Sequence, residues 1–238
     1  MKKKHRATGL LQAALLLISG LSSFAAAEQH FPVSLDSKVG HPVLATMLEA
    51  SRAGRFYQIE PADSEVWFSI DSIVKPVKGE FTHFKGGITL QPDADNNGQA
   101  LFVVESDSIS TSNIVIDEVV RSKSFFDVEH HPEILFVSSG FSWLSETRGL
   151  LKGKLTLRGV TKAVVFNVEL SDIEGNKVGN SETILVKINT SISRSMFGMK
   201  LMTSVVGDTV RLSMTIQAKK HRRISKEQLV AISSYSGS

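Results

Sequence analysis

The sequence predicts an all-β domain, a barrel or a sandwich, with one short helix set into it. Three observations carry this expectation. Apolar and polar residues alternate with a period of two in many short segments between residues 57 and 218. Clusters rich in Asp, Asn and Gly separate those segments, and one stretch, 113–132, breaks the alternation with helical spacing.

Residues 1–27 stand apart from the folded body. A basic start (Lys2, Lys3, Lys4, Arg6), an apolar stretch of about a dozen residues and Ala25–Ala27 together read as a cleavable secretory signal. The apolar stretch falls short of the ~20 residues a membrane-spanning helix needs. Export is therefore expected, with cleavage after Ala27.

Removing that segment changes the charge of the chain. All 24 acidic residues lie after position 27, whereas four of the 27 basic ones precede it, leaving a net charge of −1. The last twenty residues hold five basic residues and one acidic, so residues 28–218 sum to −5. A body of that charge is not expected to bind a nucleic-acid backbone. The chain has no cysteine, which excludes disulfides, thiol catalysis and cysteine-held metal. Stability must then come from one apolar core, for which the length suffices.

Residues 28–56 form a lead segment that lacks strand alternation. Val43, Leu44, Met47 and Leu48 within it have helical spacing, so this extension is expected to be partly helical. Strands follow. Val66, Phe68 and Ile70 alternate in "EVWFSID"; "GGITL" and "ALFVVESDS" flank the turn cluster "QPDADNNGQ"; "EILFVSSGFSW" and "RGLLKGKLTLRG" come next. In "TKAVVFNVEL" Val164, Phe166, Val168 and Leu170 share a face, and in "TILVKINTSIS" Ile184, Val186, Ile188 and Ile192 do so. "DTVRLSMTIQA" alternates most cleanly, with Val210, Leu212, Met214, Ile216 and Ala218 on one side. The interruption at 113–132 predicts a helix over roughly Ile114 to Lys123, followed by Phe125 and Phe126.

No catalytic constellation is evident. His83, His130 and His131 are the histidines of the strand region, and none sits beside a recognisable nucleophile. "DVEHH" puts adjacent histidines on opposite sides of an extended chain, which fits a solvated loop better than a metal site. Neither enzymatic activity nor a cofactor is expected. The abundant phenylalanines can fill a core or line an apolar cavity, since an eight-stranded barrel is just wide enough for either. Gly153, facing inward, and the unbranched Met214 favour a cavity.

Several motifs in order resemble the YceI-like proteins: "VKGEFTHFKGGI" (77–88), "RSKSFFDVEHHPEILFVSS" (121–139), "LKGKLTLRGVTKAVVF" (151–166), "SRSMFGMK" (193–200) and "VVGDTVRLSMTIQA" (205–218). The resemblance covers about residues 57–218. It implies an eight-stranded antiparallel lipocalin-like barrel with a short capping helix, enclosing an apolar channel for a polyisoprenoid lipid such as an isoprenoid quinone or a polyprenyl phosphate. It further implies a non-enzymatic, stress-related carrier. The competing expectation is a barrel with a filled interior that acts as a protein-interaction module, the lead segment plugging its mouth.

On this reading the channel wall is expected to include Phe68, Ile70, Phe81 and Phe84 from the first half of the barrel. Phe125 and Phe126 would follow the helix, and Phe136, Leu155, Val164 and Phe166 would come from the middle strands. Ile188, Phe197, Val210, Leu212 and Met214 would complete it. Arg121 and Lys123 are the cations placed for a phosphate head group. The expected partners are an isoprenoid lipid, a membrane in transient contact and a second copy in a homodimer. The chain departs from the family pattern at Asp63 and Asp71, at Val119–Val120 and at Met196. The replacements around the cap imply a more apolar mouth, or a different head group.

Overall fold

The computed structural model describes residues 47, 49–53, 55–90, 98–172 and 181–221. The expected signal and most of the expected lead segment, residues 91–97 and 173–180, and the residues from 222 lie outside the described residues. The described strands are, in order, β1 (Phe56–Ile59), β2 (Glu65–Ser72), β3 (Val77–Phe81), β4 (Phe84–Thr89), β5 (Gln99–Glu105) and β6 (Ile109–Thr111). A helix, α1 (Ile114–Arg121), follows. Then come β7 (Glu133–Trp143), β8 (Arg148–Leu157), β9 (Val160–Asp172), β10 (Thr183–Ser193) and β11 (Val206–His221).

These segments occupy eight positions of one closed antiparallel barrel. β11 is long enough to pair with β2 over Val206–Thr215 and with β1 over Ala218–His221. β1 and β2 are therefore one strand broken by a 3-10 turn at Pro61–Asp63, where proline lacks the N–H a ladder needs. β3 and β4 break at Thr82–His83, and β5 and β6 at a second 3-10 turn, Ser106–Ser108. From β7 onward every position is a single strand. The β1–β11 ladder closes the ring, which decides between the barrel and the sandwich that alternation alone leaves open. The ladder also runs to His221, so Lys219 and Lys220 are strand residues rather than tail.

The two ends of the barrel differ. At one end the inward side chains of Tyr57, Leu170, Ile184, Ile216 and Ala218 are fully buried. There the Tyr57 hydroxyl donates to the carbonyl of Ser181 at 3.0 Å. Burial, with Glu182 and Asp172 adding to it, pushes the Tyr57 pKa up to about 12, so it remains a neutral donor. Toward the other end the same faces loosen. Val210, Leu212 and Met214 of β11 and Ile188 and Ile192 of β10 are only half-buried. One end is a floor and the other a mouth.

Two glycines let aromatic rings lie flat on a neighbouring strand. A Cβ on Gly79 would meet the Phe68 ring at 2.6 Å, and one on Gly153 would meet the Phe136 ring at 2.5 Å. The expectation that Gly153 leaves open space is thus corrected: the Phe136 ring occupies that place. Part of the outer wall is also dry. Leu101, Val103 and Val137 point away from the axis yet are buried, as are Met47, Ala50 and Ser51 of the helical residues preceding β1.

Candidate functional site

A cavity of about 420 Å³ runs along the barrel axis and touches all eight strand positions. Its surface is apolar throughout. It reaches from Leu90 and Leu170 near the floor to Val115, Val119 and Met202 at the mouth. Volume and lining fall within the range of small-molecule sites, without the few convergent polar groups that usually fix a ligand's orientation.

Most of the residues expected on the channel wall lie on this cavity: Phe68 and Ile70 of β2, Phe81 of β3, Phe125, Phe126 and Phe136, then Leu155, Phe166 and Ile188, and finally Val210, Leu212 and Met214. The rings are locked by one another. Phe136 and Phe166 meet edge to face with centroids 5.0 Å apart, and Phe81 meets Phe126 at 5.8 Å in the same manner. Phe84, Val164 and Phe197 lie off the cavity. Phe84 is buried against the Phe102 ring at 5.5 Å. Val164 and Phe197 border a separate small groove with Lys162 and Met196. Val186 and Ile192 share the inward face with Ile188 and also line the cavity, so the period-2 pattern already pointed to them. Phe141, Met199 and Met202 line it as well; the last two sit in an irregular loop with no pattern to reveal them.

The mouth is covered by α1. Asn113 caps the helix, its Oδ1 accepting from the amides of Val115 (2.9 Å) and Ile116 (3.4 Å). Asp117, buried, accepts from the Thr111 amide at 2.7 Å and so ties the helix to β6. Arg121 donates to the carbonyls of Asp107 (3.0 Å) and Ile109 (2.6 Å). Its guanidinium thereby holds the helix to the β5–β6 stretch. Val115, Ile116, Val119 and Val120 present the apolar side of α1 to the cavity.

A second set of polar contacts fixes the part of the lip that packs on the segment after α1. The buried Arg194 donates to the carbonyls of Gly207 (2.9 Å), Met199 (2.7 Å) and Val206 (2.9 Å) and stacks over the Phe125 ring at 5.7 Å. Burial lowers its pKa, and nearby Asp208 opposes that shift. Asp208 accepts from the hydroxyls of Ser193 and Ser195 and from the Ser195 amide at 2.9 Å. The Ser193 hydrogen bond leads the causes that hold its carboxyl below the usual range. Although Arg194 borders the cavity, its polar atoms turn to backbone carbonyls. The histidines lie elsewhere: His130 bonds to Asp127 at 2.8 Å across the turn after α1, and His83 sits 3.8 Å from Glu105.

Comparison with known proteins places this architecture. The family model described as the YceI-like domain matches residues 57–218. The chain belongs to the YceI-like family. This YceI-like chain is 26% identical over 144 residues to a UPF0312 protein of Staphylococcus aureus (strain USA300), covering 60% of the chain and 81% of that protein. Among solved structures, BcnA of Burkholderia cenocepacia superposes with a TM-score of 0.62 at 24% identity, over 68% of this chain and 99% of BcnA. A Campylobacter jejuni YceI protein gives 0.53 at 23% identity, over 59% and 83%. A polyisoprenoid binding domain from Saccharophagus degradans, implicated in plant cell wall breakdown, gives 0.52 at 15% identity, over 69% and 98%. At these identities the likeness of the structures is one of fold.

Proposed function

We propose that this protein is a non-enzymatic periplasmic carrier that holds the chain of a polyisoprenoid lipid, an isoprenoid quinone or a polyprenyl phosphate, inside the barrel. The observation that carries the reading is the cavity itself, apolar from floor to mouth. Burying one isoprene unit from water is worth about 2–3 kcal/mol before ordering costs, at ~25 cal/mol per Å² of apolar surface. Several units would therefore hold a lipid without any polar anchor in the cavity. With no polar surface inside, the head group belongs at the mouth or beyond it. The similarity in fold to a polyisoprenoid binding domain supports the choice of cargo. The basic start, apolar stretch and small residues of 1–27 support export.

Native mass spectrometry of protein purified from the periplasmic fraction, followed by organic extraction, tests the reading. A bound isoprenoid near one per chain is expected. A mass equal to the apoprotein, unchanged after incubation with quinones, polyprenyl phosphates and fatty acids, would overturn it.

A further inference from the structure

Among the described residues, eleven large hydrophobic side chains are exposed, and seven of them fall on three segments around the mouth. Ile73 and Val74 sit in the turn between β2 and β3, exposed by 75% and 84%. Ile114, Val115 and Val119 lie on α1, and Leu201 and Met202 on the loop before β11. Single exposed hydrophobics are ordinary on a soluble protein, whereas a clustered patch marks an interaction surface.

Two observations make these segments one rim. The Ile73 amide donates to the carbonyl of Val205 at 3.0 Å, and the amides of Val205 and Val206 donate to Met202, so the turn and the loop are stitched together. Val115, Val119 and Met202 line the cavity and are also 67%, 42% and 45% exposed. The greasy surface thus continues from the interior over the lip without a polar break. Met202 is held at a positive φ of 58°, a backbone state that side-chain-bearing residues seldom adopt.

Two exposed cations flank the apolar residues of this rim. Lys75 follows Val74, and Lys200 precedes Leu201; both are exposed. Two carboxylates nearby are paired, Asp71 with Arg211 at 2.7 Å and Glu118 with Arg121 at 3.6 Å, while Asp107 beside α1 is exposed. Apolar side chains flanked by cations suit the headgroup–acyl boundary of a bilayer bearing anionic lipids. A protein partner would more often supply hydrogen-bonding polar groups at the rim of such a patch.

From this we infer that the mouth docks on an anionic lipid bilayer, with Ile73, Val74, Val115, Leu201 and Met202 inserted and Lys75 and Lys200 at the phosphates. The inference builds on the carrier reading: docking joins the bilayer's acyl region to the cavity, so cargo passes between them without crossing water.

The test uses protein purified after expression of the full 238-residue chain, sedimented with vesicles of phosphatidylethanolamine and phosphatidylglycerol, or of phosphatidylcholine alone. Val74→Asp with Leu201→Asp should weaken binding roughly tenfold or more, and Lys75→Glu with Lys200→Glu should remove the preference for phosphatidylglycerol. The basic tail is common to all variants, so it cannot produce the differences. Because the chain lacks cysteine, Val74→Cys, Leu201→Cys and the far-end control Leu144→Cys can each carry one environment-sensitive dye. A blue shift on vesicles at the first two and none at the third is expected. Wild-type binding by the aspartate variant, or an equal dye response at all three positions, would overturn the proposal. So would self-association through the rim with no vesicle binding. Extracted cargo without vesicle binding sinks the docking proposal and leaves the carrier; vesicle binding by a protein that never holds lipid does the reverse.

Discussion

The ring of Phe166 stands edge-on against the ring of Phe136, centroids 5.0 Å apart and planes at 83°, midway along the cavity wall. Each ring holds the other in place, and both present carbon to the interior. A charge at this point has no partner within the apolar lining and is costly to desolvate. Phe166→Asp is expected to abolish cargo retention, and Phe166→Leu to keep it while costing about 1–3 kcal/mol of stability. Native mass spectra of both variants, each checked for a cooperative melt, decide it. A folded aspartate variant that still carries lipid would count against the cavity as the site.

Gly153 offers a sharper probe of packing. A Cβ there would approach the Phe136 ring and the Val137 carbonyl oxygen, both at 2.5 Å. The ring can shift, but the carbonyl is tied into the β7–β8 ladder. Gly153→Ala should therefore destabilise by about 1–3 kcal/mol in urea unfolding, well beyond a surface substitution. Wild-type stability would show that the strand moves more freely than this packing implies.

Glu133 makes stability depend on pH. Burial pushes its pKa up to about 7; Lys85 opposes the shift and Glu105 adds to it. Its Oε1 is buried without a hydrogen-bond partner. The folded state therefore holds a proton that the unfolded chain releases near the ordinary value of 4.5. That contribution is complete below this value and is lost as pH rises through about 7. Glu133→Gln should flatten the decline between those limits and raise stability at pH 8, by on the order of 1 kcal/mol after solvent screening. Melting curves across pH test it, and parallel profiles for the two proteins would refute the assignment.

Arg194 holds the lip of the mouth through three carbonyls. A lysine there keeps the charge but cannot reproduce the planar fork that reaches Gly207, Met199 and Val206 together. Arg194→Lys should cost about 2–4 kcal/mol and raise amide exchange across Met199–Val206 before the barrel ladder is affected. Exchange rates rising uniformly over the barrel would instead make Arg194 a general core residue.

Much of this was legible in the chain. The alternation of β9 and β11 gave their inward faces directly, and the spacing of Ile114, Asp117 and Arg121 gave the helix. Closure was legible only through the family motifs, which implied an eight-stranded barrel; the alternation left it open, because closure rests on β1 pairing with the far end of β11 and no local pattern encodes a pairing across 160 residues. The broken strands were missed for a related reason: Thr82–His83 and Ser106–Ser108 interrupt pairing without a glycine or proline to announce it. Phe84 has the inward parity of a lining residue, yet Phe102 covers it; parity sets a side, not a distance from the axis. Gly153 was misjudged because a missing side chain says nothing of which neighbour takes its place.

The three broken strands distribute hydrogen bonds unevenly between the barrel's ends. Around the floor every position is laced to the next by backbone ladders, whereas β6 pairs on one side only, with β3. Its other flank faces α1 and is tied to it by the side chains of Asp117 and Arg121. A seam therefore runs down one side of the upper barrel, stitched by side chains and the single Ser106–Pro132 backbone bond rather than by a sheet. Widening that seam unfastens a few bonds one at a time and leaves the ladder whole. The width of the upper barrel and the stability of the fold thus become separately adjustable properties.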